Sequence, residues 1–326
     1  MPYDFKNLNF RPVHTKPPAI DATTNLAPAS LAVSWLMPLT PVERPEFLAT
    51  TLFSLERQSL QANELVIAAD GPLPNGLREV IAASRLPIRL VEQSRPAGIG
   101  ALLQVVAPQC RGSLILRIDS DDLYHRNHTA DVLAALEAYP QAGAVGTQLI
   151  ELEELSGRFS SRRTPTEAAE VQRWLPWRNP MNHQTVGMRK QALLEAGGYR
   201  HAPGFEDWDL WLRIAAQGHA LINLPMATVA ARVNRQHRLR RRGWRYFRQE
   251  LNFYRCQLSE GRVEPRAAVT SLLTRLPVRL APMAVLRWWM ESSWRGSPPL
   301  NTAWVSELLA QNPWVPGLGN PEQRRQ

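Results

Sequence analysis

The sequence predicts an α/β protein with a mainly parallel sheet flanked by helices, followed by a C-terminal helical tail. Short β-favouring runs alternate with amphipathic helical stretches after residue 30, a pattern typical of strand–helix–strand crossovers and a buried sheet. The chain has 326 residues, of which 44% are hydrophobic and 21% charged. That is enough for one large α/β domain or two smaller ones with a proper core, and it excludes a disordered protein.

Five strands and three intervening helices are predicted in chain order. The strands begin at Leu31, Glu64, Ile88, Ser113 and Ala144, with the sequences LAVSWLM, ELVIAAD, IRLVEQ, SLILRI and AVGTQLI. The helices PEFLATTLFSLERQ, NGLREVIAASR and HTADVLAALEAY carry apolar residues at three- and four-residue spacing. Ligands in open α/β sheets bind beyond the carboxyl ends of the strands, so a site is expected at that edge.

Composition divides the chain into three parts. Residues 1–30 are predicted to be a loose extension because they are polar and proline-rich, residues 31–235 to be the α/β domain, and residues 236–326 to be a basic helical tail with a disordered end. Residues 232–248 alone carry eight arginines and no acid, which nearly accounts for the net charge of +9.

The cysteines and the lack of long apolar runs exclude several classes of protein. Cys110 and Cys256 are far apart and form no CxxC pair, which excludes a disulfide framework and a cysteine zinc site. Because no signal-peptide pattern and no run of about 18 apolar residues occurs, we expect a cytoplasmic protein that does not span a membrane.

Three carboxylates follow the predicted strand at Ser113, in the sequence RIDSDD: Asp119, Asp121 and Asp122. Like charges this close, when buried, either take up protons or bind a cation. Oxygen ligands at a strand end suit a hard ion such as Mg²⁺ or Mn²⁺. Alternatively, Asp121 or Asp122 caps a helix or turn while the other acids face solvent. Residue type alone leaves both interpretations open.

A second acidic pair, Glu206 and Asp207, begins the tryptophan-rich helix in FEDWDLWLRIAAQG. Such acids can cap a helix and stabilise its dipole, an effect of roughly 0.5 to 1 kcal/mol. A helix start can also fix a carboxylate while aiming it at a pocket, as a general base requires. Here too both interpretations remain open.

Residues 31 to about 248 resemble family 2 glycosyltransferases. The resemblance lies in LAVSWLMPL, the stretch ending in VIAADGPLPNGL, RIDSDDLYHRNH, RNPMNHQTVGMRKQALLEAGGY and FEDWDLWLRIAAQG, in that order and spacing. ADGPL, RxDSDD and RNPxNHxT are most similar to the subgroup that acts in bacterial exopolysaccharide, capsule and O-antigen assembly. The resemblance implies a GT-A fold, a nucleotide-sugar donor and an inverting transfer assisted by Mg²⁺ or Mn²⁺.

The resemblance also assigns roles on the donor side. Asp119 and Asp121 match the family's DxD acids, with Asp122 adjacent, and would hold the metal ion against the donor's diphosphate. Asp70 matches the acid that contacts the nucleotide base, and Pro38 matches the lip of the nucleotide pocket. Asp119 is therefore expected to serve the nucleotide sugar as well as the metal.

On the acceptor side, Asp207 matches the acid that removes the acceptor hydroxyl's proton, with Glu206 beside it as a further acceptor contact. Asn182, His183 and Trp208 are candidates to line the acceptor pocket. His183 is equally consistent with a hydrogen-bonded structural histidine.

The chain departs from the family pattern in three places. Ala69 stands before Asp70, where many relatives have two acids. This difference weakens the inference about which nucleotide base the sugar donor carries. LLQVV near Gln104 replaces an LNxG stretch beside the donor. Asn234 occupies the place of a late histidine that completes the metal shell, so His237 or water would take that role.

The function expected from this resemblance is transfer of a sugar to a hydroxyl of a glycan or lipid-linked acceptor in surface polysaccharide biosynthesis. The basic, aromatic tail predicts peripheral contact with an anionic membrane, at the inner face of the plasma membrane. The alternative is a non-enzymatic protein whose arginines bind nucleic acid or membrane; its binding to nucleic acid would depend strongly on salt. For the enzyme, no nucleic acid partner is expected.

Overall fold

One mixed sheet organises the molecule in the computed structural model, which describes residues 10–13, 32–154, 156–233, 243–280 and 301–312. Within these ranges the sheet has ten strands. They are β1 Phe10–Val13, β2 Val33–Leu39, β3 Glu64–Ala69, β4 Ile88–Gln93, β5 Leu114–Arg117, β6 Leu123–Tyr124, β7 Ala142–Glu153, β8 Phe159–Arg162, β9 Gly187–Arg189 and β10 Ala220–Val233.

Helices connect the strands and cover both faces of the sheet. They are α1 Pro45–Leu55, α2 Asn75–Ala83, α3 Ile99–Val106, α4 His128–Ala138, α5 Ala168–Trp174, α6 Lys190–Glu195, α7 Glu206–Ala216, α8 Gly243–Ser259, α9 Pro265–Leu280 and α10 Ala303–Gln311. Pro45 occupies the first turn of α1, where a missing backbone N–H costs nothing.

The strand order is β1-β4-β3-β2-β5-β9-β7-β10-β6, with β8 on β7. The neighbours β4, β3, β2 and β5 are parallel, as the alternating sequence pattern predicted. Beyond β5 the sheet is mixed, because β9 lies antiparallel between β5 and β7 while β10 is parallel to β7. The α/β class is confirmed, and the adjacent parallel strands β4, β3, β2 and β5 are four of the ten described strands of a mixed sheet.

The extension predicted to be loose contributes a strand to this sheet. β1 pairs antiparallel with β4, with Phe10 opposite Gln93 and Val13 opposite Leu90. A four-residue edge strand contains too few residues for a side-chain period to stand out in a proline-rich segment. The rest of residues 1–30 lies outside the described part.

The core forms on both faces of the sheet because successive strand residues point to opposite sides. On one face Trp35 and Met37 pack with residues of α1, α2 and α4. On the other, Leu36 and Ile115 belong to a cluster with residues of α3, α6 and α7. This second cluster also contains Tyr254 of α8, so the first helices of the predicted tail pack into the core of the α/β domain.

The last described helix, α10, returns to the sheet. Its Val305 and Leu309 pack against Leu123 of β6 and Ile150 of β7. The predicted boundary at residue 236 falls in the range 234–242, outside the described residues. None of the helices described is long and apolar enough to cross a bilayer.

Candidate active site

The three predicted acids meet in the turn that links β5 to β6. Asp119, Asp121 and Asp122 each contribute a carboxylate oxygen to a group whose members lie within 4.8 Å of one another. The turn follows the carboxyl end of β5, beside the carboxyl end of β2, where α/β sheets bind ligands. The structure thus brings the predicted metal acids together.

Burial makes this concentration of negative charge costly. The pKa of Asp121 is raised to about 7, first by burial and then by the charges of Asp119 and Glu43. Burial and the neighbouring Asp121 raise the pKa of Asp122 well above its usual range. The Oδ2 atom of Asp122 is buried and has no hydrogen-bond partner among the residues that the structure describes. A group of metal ligands that consists only of oxygen atoms, one of them buried and unpaired, fits a hard divalent cation.

Hydrogen bonds hold the turn in this shape. The hydroxyl of Thr51 in α1 donates to the backbone oxygens of Ser120 (3.0 Å) and Asp122 (2.8 Å). The Asp119 amide donates to the Tyr124 hydroxyl at 2.8 Å. The next helix, α4, begins only at His128, after Asn127, so neither Asp121 nor Asp122 is its N-cap. The structure therefore does not support the alternative of helix capping by these acids.

Two buried arginines that the sequence analysis did not select border the cluster. Arg117 donates to Asp119 Oδ1 at 2.6 Å. Burial alone would lower the pKa of Arg117, but the charge of Asp119, together with its hydrogen bond and two nearby tyrosines, raises it. Arg232, at the end of β10, is 6% exposed and donates its amide to Asp122 Oδ1 at 3.3 Å. In the sequence, Arg232 begins the arginine-rich stretch and stands two residues before Asn234, the place of the family's late histidine.

The residues predicted to bind the nucleotide-sugar donor, Asp70 and Pro38, lie on or directly after the neighbouring strands. Asp70 follows β3, and its carboxylate accepts hydrogen bonds from the amides of Ala97 (2.7 Å) and Gly98 (3.1 Å). Asp70 thereby fixes the loop that leads into α3. Pro38 is buried in β2 opposite Ala68. Contact of Asp70 with the base and of Pro38 with the nucleotide remain predictions.

The second acidic pair begins α7, as predicted. Asp207 Oδ2 accepts a hydrogen bond from the side-chain amide of Asn179 at 2.6 Å, and Asp207 Oδ1 accepts one from the Trp208 amide at 2.8 Å. Burial raises the pKa of Glu206 to about 7. A Cβ atom at Gly100 of α3 would lie 2.7 Å from the Glu206 side chain, so glycine permits the close approach of α3 and α7.

The candidate acceptor residues differ in their surroundings. His183 is half-buried, and its Nε2 lies 2.9 Å from the Tyr199 hydroxyl. Burial and the charge of Arg117 hold its pKa well below the usual range, so this histidine is neutral at physiological pH. The hydrogen bond agrees with the structural interpretation of His183. His237, the candidate metal ligand, lies outside the described residues.

Asn182 and Trp208 are buried. Asn182 is 1% exposed, and its side-chain amide donates to the Thr147 carbonyl at 3.3 Å. Trp208 is 3% exposed, and its indole N–H donates to the Leu175 carbonyl at 2.7 Å. Packing and its hydrogen bond account for Trp208 without a ligand, whereas the buried Oδ1 of Asn182 has no hydrogen-bond partner among the described residues. Contact of either side chain with an acceptor stays a prediction.

Comparison with known sequences identifies the family. The sequence profile of Glycosyl transferase family 2 matches residues 37–198. The amylovoran biosynthesis glycosyltransferase AmsE of Erwinia amylovora is 31% identical over 265 residues, covering 81% of this chain and 99% of the relative. The chain belongs to glycosyltransferase family 2. The present chain is also 27% identical over 255 residues to the UDP-Gal:alpha-D-GlcNAc-diphosphoundecaprenol beta-1,3-galactosyltransferase of Escherichia coli. This match covers 76% of the present chain and 91% of that enzyme.

Solved structures confirm the GT-A fold. The mannosyltransferase PcManGT of Pyrobaculum calidifontis, in complex with GDP-Man and Mn²⁺, superimposes with a TM-score of 0.53 at 18% identity, covering 87% of this chain and 82% of that structure. S. aureus TarS 1–349, in complex with UDP-GlcNAc, gives a TM-score of 0.56 at 14% identity, with the same coverage. The predicted family is confirmed, and the names of the relatives agree with the predicted subgroup.

Proposed function

We propose that this glycosyltransferase is a metal-dependent inverting enzyme that transfers a sugar from a nucleotide-sugar donor to a hydroxyl of a glycan or lipid-linked acceptor in surface polysaccharide biosynthesis. The observation that carries the proposal is the group of three carboxylates at the carboxyl edge of the sheet, of which Asp122 is buried and the other two are partly buried. The E. coli relative, by its name, acts on a diphosphoundecaprenol-linked sugar, which supports a lipid-linked acceptor.

In this proposal the two acidic sites have separate roles. Asp119, Asp121 and Asp122 would hold Mg²⁺ or Mn²⁺, which when bound neutralises charge that develops on the departing diphosphate. Asp207 accepts the proton of the acceptor hydroxyl as that oxygen bonds to the anomeric carbon and the bond to the diphosphate breaks. Attack from the face opposite the diphosphate inverts the anomeric configuration.

A binding screen tests the function as a whole. We expect one nucleotide class among UDP-, GDP- and dTDP-sugars to raise the melting temperature, and to do so only with Mn²⁺. A ligand at 100 times its dissociation constant stabilises the folded state by about 2.7 kcal/mol, an effect that a thermal-shift measurement resolves. Stabilisation by nucleic acid that falls with salt, with no response to any nucleotide sugar, would overturn the proposal in favour of a binding protein.

The exposed face of α8 is basic and aromatic. Trp244 is 60% exposed, and its ring stacks on that of Phe247 with centroids 5.4 Å apart. The helix's single acid, Glu250, is fully buried and paired with Arg275 and Arg279 of α9. Three arginines of α8 are exposed: Arg245, Arg248 and Arg255. We infer that this face contacts an anionic membrane surface, where lipid-linked acceptors lie.

Charge reversal on this face tests the membrane contact. Since each basic residue near an anionic surface contributes about 1 kcal/mol, the pair Arg245→Glu and Arg248→Glu is expected to weaken binding to anionic liposomes at least about 30-fold. Reversal of two exposed arginines elsewhere, Arg85 and Arg158, is the matched control. Flotation that is equal for the parent and the α8 variant would exclude this face as the membrane contact.

A further inference from the structure

The segment that follows α5, residues 175–179, forms hydrogen bonds with α8 and α9 on one side and with α7 on the other. The Trp177 carbonyl accepts hydrogen bonds from the hydroxyls of Ser271 (3.3 Å) and Tyr254 (3.4 Å) and from the guanidinium of Arg275. These donors belong to α8 and α9. Three donors on one carbonyl fix the backbone of the segment relative to the two helices.

The same segment is bonded to α7, which carries the candidate base. The indole N–H of Trp208 donates to the Leu175 carbonyl, and the Asn179 side-chain amide donates to Asp207 Oδ2 at 2.6 Å. Residues 175–179 therefore connect the helix pair α8–α9 to the first turn of α7.

Asn179 uses both of its side-chain polar atoms. While its nitrogen donates to Asp207, its Oδ1 accepts the Met181 amide at 3.2 Å. Exchanging the oxygen and nitrogen of the side chain would break both bonds, so its orientation is fixed. Each carboxylate oxygen has two lone pairs, and the bonds from Asn179 and the Trp208 amide occupy one on each oxygen of Asp207. Among the described residues, no further donor occupies the second lone pair of either oxygen, which can take a proton.

We infer that Asn179 is a positioning residue, which holds the Asp207 carboxylate in the orientation needed to accept the acceptor's proton. The inference rests on the proposed role of Asp207 as the base. Productive geometry in an active site is held to within about 0.5 Å, and a displacement of about 1 Å can lower a rate about 10²-fold. A carboxylate with one fixed donor on each oxygen cannot rotate without losing a hydrogen bond.

Substitution of Asn179 by aspartate separates this role from a purely structural one. Asn179→Asp retains an oxygen acceptor for the Met181 amide, but it places a carboxylate oxygen where the donor to Asp207 was. We expect kcat to fall about 10²-fold. The KM for the nucleotide-sugar donor and its calorimetric dissociation constant with Mn²⁺ should both stay within about 2-fold of the parent's values. If Asn179 only shapes the turn at Met181, this variant keeps the parent's kcat.

A double-mutant cycle with Asp207→Asn completes the test. If Asn179 acts through Asp207, Asn179→Asp causes no further loss in the Asp207→Asn background, because the group that it positions is already absent. Additive losses would overturn the inference. If Asp207→Asn retained the parent's kcat, Asp207 would be excluded as the general base, and the proposed role of that residue would be wrong. An inactive Asp207→Asn beside a fully active Asn179→Asp would refute the positioning role alone.

Discussion

Asp207→Asn is expected to lower the rate of sugar transfer by about 10²- to 10⁴-fold at saturating donor, the range for loss of a positioned general base. Asparagine has nearly the shape of aspartate and keeps an oxygen that can accept the Trp208 amide, which Asp207 Oδ1 does at 2.8 Å. It carries no charge and cannot take the proton of the acceptor hydroxyl. Donor binding should be unchanged, because the carboxylates of the metal group lie on a different element, the turn after β5.

The measurement pairs the transfer rate with calorimetric donor affinity in Mn²⁺. Asp131→Asn, in the first turn of α4, is a matched control because it also neutralises an acid at a helix start. If Asp207 were only a cap, its loss would cost about 1 kcal/mol of stability and leave the turnover of folded enzyme nearly intact. In that case the base must be another acid, and Glu206, with its pKa raised to about 7, is the next to examine.

The four adjacent parallel strands β2, β3, β4 and β5 could be predicted because each is a short β-favouring run, and all of them except β4 are buried along their whole length. β4 begins and ends as predicted, at Ile88 and Gln93. β9 has only three residues, too few to show a period, and β10 contains Pro225 and register shifts that interrupt alternation. α3 was not predicted, because its sequence IGALLQVV contains a glycine and few polar residues to mark a solvent face.

The site was predictable to the extent that its residues adjoin one another in sequence. Asp119, Asp121 and Asp122 lie in one turn, so their convergence follows from the strand end that precedes them. The contact of Asp122 with Arg232 joins residues 110 positions apart, and that of Asn179 with Asp207 joins residues 28 apart. Pairings of this kind depend on the sheet order and on the packing of α7, which local pattern does not specify.

Asp121→Asn is expected to abolish stabilisation by Mn²⁺ and to weaken Mn²⁺-dependent donor binding by at least about 10²-fold, because residues outside the ligand shell already contribute 10- to 100-fold to metal affinity. In the metal-free protein the same substitution should raise stability. Burial and the nearby charges of Asp119 and Glu43 raise the pKa of Asp121 to about 7 in the folded state, so the ionised form is unfavourable there.

The pH dependence separates this interpretation from general damage to the fold. A carboxyl whose pKa is raised on folding binds its proton more tightly in the folded state, so the free energy of unfolding of the metal-free parent should fall as pH rises from about 4 to about 7. Asp122 contributes in the same direction, because its pKa is raised as well. In Asp121→Asn the fall should be smaller, and the variant should be the more stable protein above pH 7 in EDTA.

Addition of Mn²⁺ should reverse that order. Metal binding requires deprotonated carboxylates, so the stabilisation of the parent should grow as pH rises through about 7, while the variant gains little. Thermal unfolding with EDTA or Mn²⁺, from pH 5 to pH 8.5, measures both effects, with Asp131→Asn as the control that leaves the cluster intact. A parent that is more stable than Asp121→Asn in EDTA at pH 8, and equally responsive to Mn²⁺, would show that Asp121 holds the fold rather than a cation.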